Sequence, residues 1–215
     1  MKIVLFGATG MVGSRIAVEA VSRGHELTAA SRSGRVPGGV GEGHVTALAG
    51  DASSADAVAE LAAGQDAVAS ALAPPRDGAD PRGPFLAVNK ALVEGVRAAG
   101  VRRLVVVGGA GSLEVSPGVA LLTTPGFPDA YRAEAEAHGQ VLDFYRSVTD
   151  LEWTYVSPAA LIAPGERTGT FRLGGDRLLT DARGDSRVSA EDYAIAFLDE
   201  LEKGAHPRAR ISVAY

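Results

Sequence analysis

Cysteine is absent from this 215-residue chain. That one absence removes disulfides, thiolate nucleophiles, iron–sulfur clusters and cysteine zinc sites together. Any chemistry must then rest on oxygen and nitrogen groups or on a borrowed cofactor. Long apolar runs are also missing, because Gly, Arg or Asp interrupts each one before the ~20 residues that a membrane helix needs. The opening run Lys2 to Phe6 meets Gly7 too early for a signal-peptide core and lacks a small-residue cleavage site. A cytoplasmic protein with no membrane partner is expected. Positive charge is in deficit, 21 Lys and Arg against 26 Asp and Glu for a net -5, with lysine only at 2, 90 and 203. Sequence-independent attraction to nucleic acid or anionic lipid is therefore not its main business. What is present, 46% hydrophobic and 22% charged residues, suits a domain with a genuine core and not a disordered tail.

Periodicity orders the chain into alternating strands and helices. Strands are expected at Lys2–Phe6, Glu26–Ala30, Val45–Ala49, Ala67–Leu72, Arg103–Val107 and Glu152–Val156. Helices are expected at Met11–Arg23, closed by Gly24, at Ser53 or Ser54 through Leu61, at Phe85–Ala99 and at Asp129–Ser147. Arg103–Val107 reads as the strand buried on both faces and belongs at the centre. Ser31–Gly43 and the proline-rich Ala73–Pro84 read as surface loops. The last third predicts short strands at Thr168–Leu173 and Arg177–Thr180, a helix capped by Ser189 with Asp192, and a final strand at Arg210–Val213. Such alternation predicts a doubly wound, mostly parallel α/β sheet of the Rossmann type. No linker or repeat interrupts it, so residues 1–215 form one domain, with substrate-side loops at 112–128 and 158–185.

One motif carries chemistry. Gly7, Ala8, Thr9, Gly10, Met11, Val12 and Gly13 lie between the first strand and the first helix. There the first glycine permits a tight turn, the second lets backbone approach a pyrophosphate, and the third lets helix and strand pack closely. The diphosphate then meets the free N–H groups and the positive dipole end of the helix. A glycine triplet alone is weak in a chain with 27 glycines, but the flanking strand and helix are the context that it requires. At the tip of the second strand stand Ser31, Arg32 and Ser33 with no acid among them. A carboxylate there would hold a ribose 2′-hydroxyl; Arg32 instead suits a 2′-phosphate, which favours NADP over NAD. Arg35 is an alternative for that role, and a solvated loop charge is the plain reading of Arg32. Gly50, Asp51 and Ala52 follow the third strand, where Asp51 either accepts from the adenine amino edge or caps a helix.

The motif Gly7–Gly13, the Gly-Asp-Ala at 50–52, the strand Arg103–Val107 running into Gly-Gly-Ala-Gly-Ser, and Ser-Pro-Ala-Ala at 157–160 resemble the atypical short-chain dehydrogenase/reductases. The nearest group is that of NAD(P)H-binding, NADH-flavin reductase-like proteins, related to biliverdin reductase B and NmrA-like proteins, and the likeness covers nearly the whole chain. The resemblance implies that Ala71, Leu72 and Ala73 pass along the cofactor, as do Gly108 and Gly109. It also implies that Pro158 and Ala159 flank the nicotinamide amide and that Ser112 lies near the ring as a catalytic candidate; a turn hydroxyl is the other reading of Ser112. The chain departs from the wider superfamily, whose tyrosine precedes a lysine by four residues. Here Tyr131 precedes Ala135 and Tyr145 precedes Thr149. Hydride transfer to a flat acceptor, a flavin or quinone, needs no such proton machinery. The expected function is thus NADPH-dependent reduction of such an acceptor. A non-catalytic cofactor sensor and a sugar-nucleotide epimerase are the alternatives.

Other constellations point elsewhere or nowhere. Histidines 25, 44, 138 and 206 have no helical metal spacing, and His138, near Glu134 and Glu136, reads as a solvated helix face. The sequence lacks a triphosphate-loop lysine after its second glycine cluster and any Gly-x-Ser-x-Gly elbow. The carboxylates Asp129, Glu134, Glu191 and Asp192 fall at helix starts, where the dipole accounts for them. Tyr155 and Trp153 read as core. The sequence leaves monomer and homodimer open.

Overall fold

The computed structural model describes residues 1–41 and 44–215; Glu42 and Gly43, at the end of the expected Ser31–Gly43 loop, lie outside the described residues. Strands run at β1 Lys2–Phe6, β2 Glu26–Ser31, β3 Thr46–Ala49, β4 Ala67–Ser70, β5 Arg103–Val107, β6 Glu114–Ser116, β7 Val119–Ala120, β8 Glu152–Ser157, β9 Leu161–Ala163, β10 Arg172–Gly174, β11 Arg187–Ser189 and β12 Ala209–Ala214. Helices run at α1 Met11–Ser22, α2 Ala55–Ala62, α3 Arg82–Ala98, α4 Arg132–Ser147 and α5 Ala190–Lys203. The main sheet has the order β3-β2-β1-β4-β5-β8-β12-β10. All neighbours pair in parallel except β10, which runs antiparallel to β12. The chain thus builds outward from β1 to β3, returns, and builds the other way from β4, which leaves a crevice at the carboxyl ends of β1 and β4.

Period-two alternation in β1 sorts the core into two layers. Ile3 and Leu5 face α1 and α5, packing with Ile16, Ala17, Tyr193 and Phe197. Val4 and Phe6 face α2, α3 and α4, packing with Val58, Leu92, Val96 and Val141. The expectation for Arg103–Val107 holds: β5 lies between β4 and β8, and Arg103 through Val106 are buried. Both predicted caps form, Ser54 Oγ accepting from Ala57 N and Ser189 Oγ from Asp192 N. Helix α5 closes at Gly204 in the left-handed region, φ 57°.

Several expectations need correction. The proline segment ends earlier than Pro84, because Pro81 is the N-cap of α3 and Pro84 sits in its first turn, where a missing N–H costs nothing. Strand β4 stops at Ser70, not Leu72. The helix expected from Asp129 begins as a 3-10 turn at Asp129–Tyr131 and becomes α-helical at Arg132. Of the strand expected at 168–173 only its end survives, in β10, and 177–180 is not a strand. Its backbone is used otherwise: Leu178 N donates to Glu114 O, and Glu114 N donates to Asp176 O. Two small sheets were not foreseen, the hairpin β6–β7 around Pro117–Gly118 and the parallel pair β9–β11. Strands of two or three residues are too short to show alternation.

At the amino ends of the strands, opposite the crevice, a charged pair is sealed in. Arg103 Nη2 donates to Glu200 Oε1 at 2.8 Å, with side-chain exposures of 9% and 3%; Thr154 Oγ1 and His206 N also donate to that carboxylate. Burial pushes the Glu200 carboxyl up, but the bonds from His206 and the Arg103 charge outweigh it and hold it below its ordinary value. Removing one member strands the other in a dry site. Glu200→Ala should therefore cost about 3–5 kcal/mol in urea unfolding at neutral pH, and a loss under 1 kcal/mol would mean that water reaches Arg103.

Candidate functional site

The glycine motif forms the turn between β1 and α1. Gly7 has φ +77°, and a Cβ built on it would stand 2.5 Å from Ala71 O. A Cβ on Gly13 would stand 2.1 Å from Gly7 O. These two positions are closed to any other residue, for turn geometry and for helix–strand approach respectively. Gly10 differs: its Cβ would meet only Gly7 O, at 3.5 Å. Gly10 is also the N-cap of α1, has no side chain to spend on the first-turn N–H groups, and no acid stands in that turn. The first helical bond is Ser14 N to Gly10 O, so the N–H groups of Met11, Val12 and Gly13 open into the crevice as a ready anion cradle. Ala8 is buried, whereas Thr9, Gly10 and Met11 are exposed.

The other cofactor positions follow the carboxyl ends of successive strands. Ser31 closes β2; its carbonyl accepts from Gly34 N and Gly50 N, and its Oγ from Arg35 N. Its hydroxyl oxygen is thus engaged in the turn, while Arg32 and Ser33 are exposed. Gly50 lies under Leu61, whose Cδ1 would be 2.3 Å from an added Cβ. Asp51 Oδ1 accepts from Ser53 N at 2.9 Å, the bond that chiefly holds its carboxyl below the usual range, with the Arg32 charge helping. Arg32 and Asp51 therefore share one electrostatic neighbourhood. Ala52 is buried. Ala71 N donates to Phe6 O at 2.8 Å, which brings Ala71, Leu72 and Ala73 to the β1 side of the crevice. Pro158 and Ala159 are buried directly after β8.

At the β5 end the residues have partners within the protein. Gly108 makes room for Tyr155, whose Cε1 would be 2.2 Å from an added Cβ, and Gly109 makes room for His138 at 2.7 Å. Both glycines thus have a packing reason inside the protein. Ser112 is drawn toward β12, where Arg210 Nη1 donates to its Oγ at 2.8 Å and Arg210 Nε donates to Asp176 Oδ1 at 2.7 Å. The structure therefore engages Ser112 in a clasp between the β5 loop and the last strand.

Sequence reasoning missed four side chains. His138 is not a solvated residue: it is buried, edge-on to Phe85 at 5.0 Å, and bonded to Tyr155. The signal was present, since His138, Val141, Leu142 and Tyr145 recur at helical spacing. Burial lowers its pKa to about 4. Glu134 pairs with Arg76 through two bonds, 2.9 and 3.0 Å, joining the β4–α3 loop to α4. Asp192 is wholly buried and accepts from Thr168 Oγ1, Gly169 N and Tyr215 Oη. Glu191 accepts from Gly165 N and Arg15 Nε. The helix dipole alone does not account for these carboxylates; Asp192 and Glu191 fasten the 165–169 segment to α1 and α5.

Gly13 and Gly10 separate by experiment. Gly13→Ala should destabilise the fold by about 1–3 kcal/mol, the usual cost of overpacking. Gly10→Ala should cost under about 1 kcal/mol, the scale of an N-cap change, yet weaken NADPH binding more than tenfold in a fluorescence titration. Equal binding by Gly10→Ala and the parent chain would remove the cradle.

Comparison with known proteins agrees with this geometry. A family model described as NAD(P)H-binding matches residues 7–203. The uncharacterized protein YwnB of Bacillus subtilis is 40% identical over 99% of this chain and 98% of its own length. Among solved structures, a "putative exported protein" from Burkholderia pseudomallei is 53% identical at TM-score 0.90 over the full length of both chains. A "putative epimerase" from Bacteroides thetaiotaomicron is 40% identical at TM-score 0.89, covering 100% of this chain and 96% of that one. A "putative NADH-flavin reductase" from Streptococcus pneumoniae is 36% identical at TM-score 0.81, covering 100% and 99%. With its doubly wound sheet, its open α1 cradle and a match spanning nearly its whole length, the chain belongs to the NAD(P)H-binding family.

Proposed function

We propose that this protein is an NADPH-dependent reductase that delivers hydride to a flat conjugated acceptor of the flavin or quinone class. One observation carries the reading: no ready proton donor stands among the described side chains at the carboxyl end of β5. Tyr131 is 58% exposed and is followed by Ala135 where a lysine would be needed. Burial pushes the Tyr145 and Tyr155 phenols far above their ordinary value, and His138, lowered to about 4, is uncharged at neutral pH. A carbonyl substrate needs a proton delivered at its oxygen as hydride arrives. An electron-poor ring does not, because its proton can come from water.

The nicotinamide would supply the hydride; the chain supplies place and exclusion. Met11, Val12 and Gly13 hold the diphosphate by backbone N–H. Gly7 and Ala71 set the depth of the crevice, and Pro158 and Ala159 wall the far side. Arg32 marks the 2′-phosphate, since the β2 tip offers no carboxylate to a 2′-hydroxyl. The similarity to the "putative NADH-flavin reductase" supports the acceptor class. The same lack of a proton donor also favours a second reading, a cofactor-binding sensor without turnover. The epimerase reading has a similar relative but lacks the tyrosine–lysine pair.

Mixing the protein with NADPH and FMN, or with a soluble quinone, and following the reduced-nicotinamide absorbance decides between them. Steady oxidation with saturation in the acceptor is expected; tight NADPH binding without oxidation would leave the sensor. Arg32→Ala should weaken NADP binding more than tenfold by calorimetry while leaving NAD binding nearly unchanged. Equal losses for both nucleotides would remove Arg32 from the 2′-phosphate.

A further inference from the structure

The bonds around Tyr155 fix the proton on His138. Tyr155 Oη lies 3.0 Å from His138 O, which can only accept, so the phenol spends its one proton there. The other two contacts of that oxygen must then be donors: Gly109 N at 3.3 Å and His138 Nδ1 at 3.1 Å. His138 is therefore the Nδ1–H tautomer, and being uncharged it leaves Nε2 as a bare lone pair. Nε2 has no partner among the described residues, and it is not among the sealed polar atoms. Nδ1 faces Tyr155 of β8, so Nε2 lies on the other side of the ring, whose neighbours include Phe85, edge-on at 5.0 Å, and the Arg76–Glu134 pair.

A second, independent observation marks the same face. Ser70 and Ser157 are 1% and 0% exposed, and both hydroxyls lack a partner among the described residues. Ser70 ends β4 in register with Phe6 and Val106, both of the α3–α4 layer. Ser157 ends β8 two residues after Tyr155, on the same side. Unspent buried polar groups are costly and uncommon. Here two hydroxyl donors and one acceptor flank the end of β5, a set that complements a –CO–NH– edge.

We infer that the Nε2 side of His138 is a polar subsite in which Nε2 accepts a hydrogen bond from an amide-type N–H, either of a nicotinamide carboxamide or of a flavin imide edge. The inference rests on the cofactor lying along the crevice, as proposed above, but not on turnover. His138 is then a binding residue that selects its ligand by an N–H.

Heteronuclear NMR of the imidazole nitrogens tests it on the intact protein. In the free protein, Nδ1 should carry the proton and Nε2 should resonate as an unbonded lone pair. Saturation with NADP should move Nε2 toward the hydrogen-bonded range if the carboxamide is the source; movement only after FMN is added would identify the flavin. A resonance that stays fixed with both bound, or a proton on Nε2 at the start, overturns the subsite. His138→Asn preserves a donor at the Nδ1 position and removes Nε2. It should unfold at a similar temperature and bind the responsible ligand roughly tenfold more weakly; unchanged affinity overturns the assignment. If NADPH is never oxidised while Nε2 still responds to NADP, the reductase reading fails and the subsite stands. If the protein binds neither nucleotide nor FMN, both fall.

Discussion

The approach of α1 to β1 governs the rest of the molecule. Gly13 packs so close to Gly7 O that even one methyl group would intrude, and this contact fixes where the helix begins relative to the strand. Because β1 is also where the sheet reverses its order, the free N–H groups of α1 open at the one place where two crossovers diverge and leave a crevice. A wider separation would move the cradle away from Ala71 and the β4 loop. One steric constraint thus places the open end of α1 at the point where the strand order reverses.

Around that point the two faces of the sheet serve different ends. On the α1–α5 face, carboxylates are spent on fastening: Asp192 and Glu191 hold 165–169, and Glu19 takes two bonds from Arg167. The segment expected on the substrate side is therefore moored to two helices over that stretch. On the α3–α4 face, buried polarity is mostly uncharged, Arg210 apart, and only partly spent. Tyr145 Oη bonds Asn89 Oδ1 and Tyr155 bonds His138, but the Ser70 and Ser157 hydroxyls bond nothing among the described residues. Fixed charge rigidifies one side, while neutral groups on the other remain able to meet a neutral ring.

The central architecture was legible because its signals are local. The run Lys2–Phe6, the glycine turn and Gly24 specify β1 and α1 without help from distant residues. The cradle was legible for the same reason. What depended on distant partners was not. Ser112 is followed by no nearby hint of Arg210, which lies 98 positions away. Arg103 read as the start of an apolar strand, and its partner Glu200 is 97 positions on. The capping box at Ser189 formed only by half, because Tyr215 Oη rather than the Asp192 carboxylate takes the Ser189 N–H.

His138 shows why the acceptor side is harder to read than the cofactor side. Its sequence neighbours Glu134 and Glu136 suggest solvent, yet a helix face is decided by spacing to Val141, Leu142 and Tyr145, not by adjacency. Once it faces inward, burial forbids its charge, and the Tyr155 proton, committed to a carbonyl, dictates which nitrogen is left bare. A phenol and an imidazole that might have formed an acid–base pair are instead each held neutral. In the reductase reading proposed above, that committed proton and uncharged ring disfavour substrates needing a delivered proton, and they leave in place the hydrogen-bonding capacity by which a flat, N–H-bearing ring would be recognised.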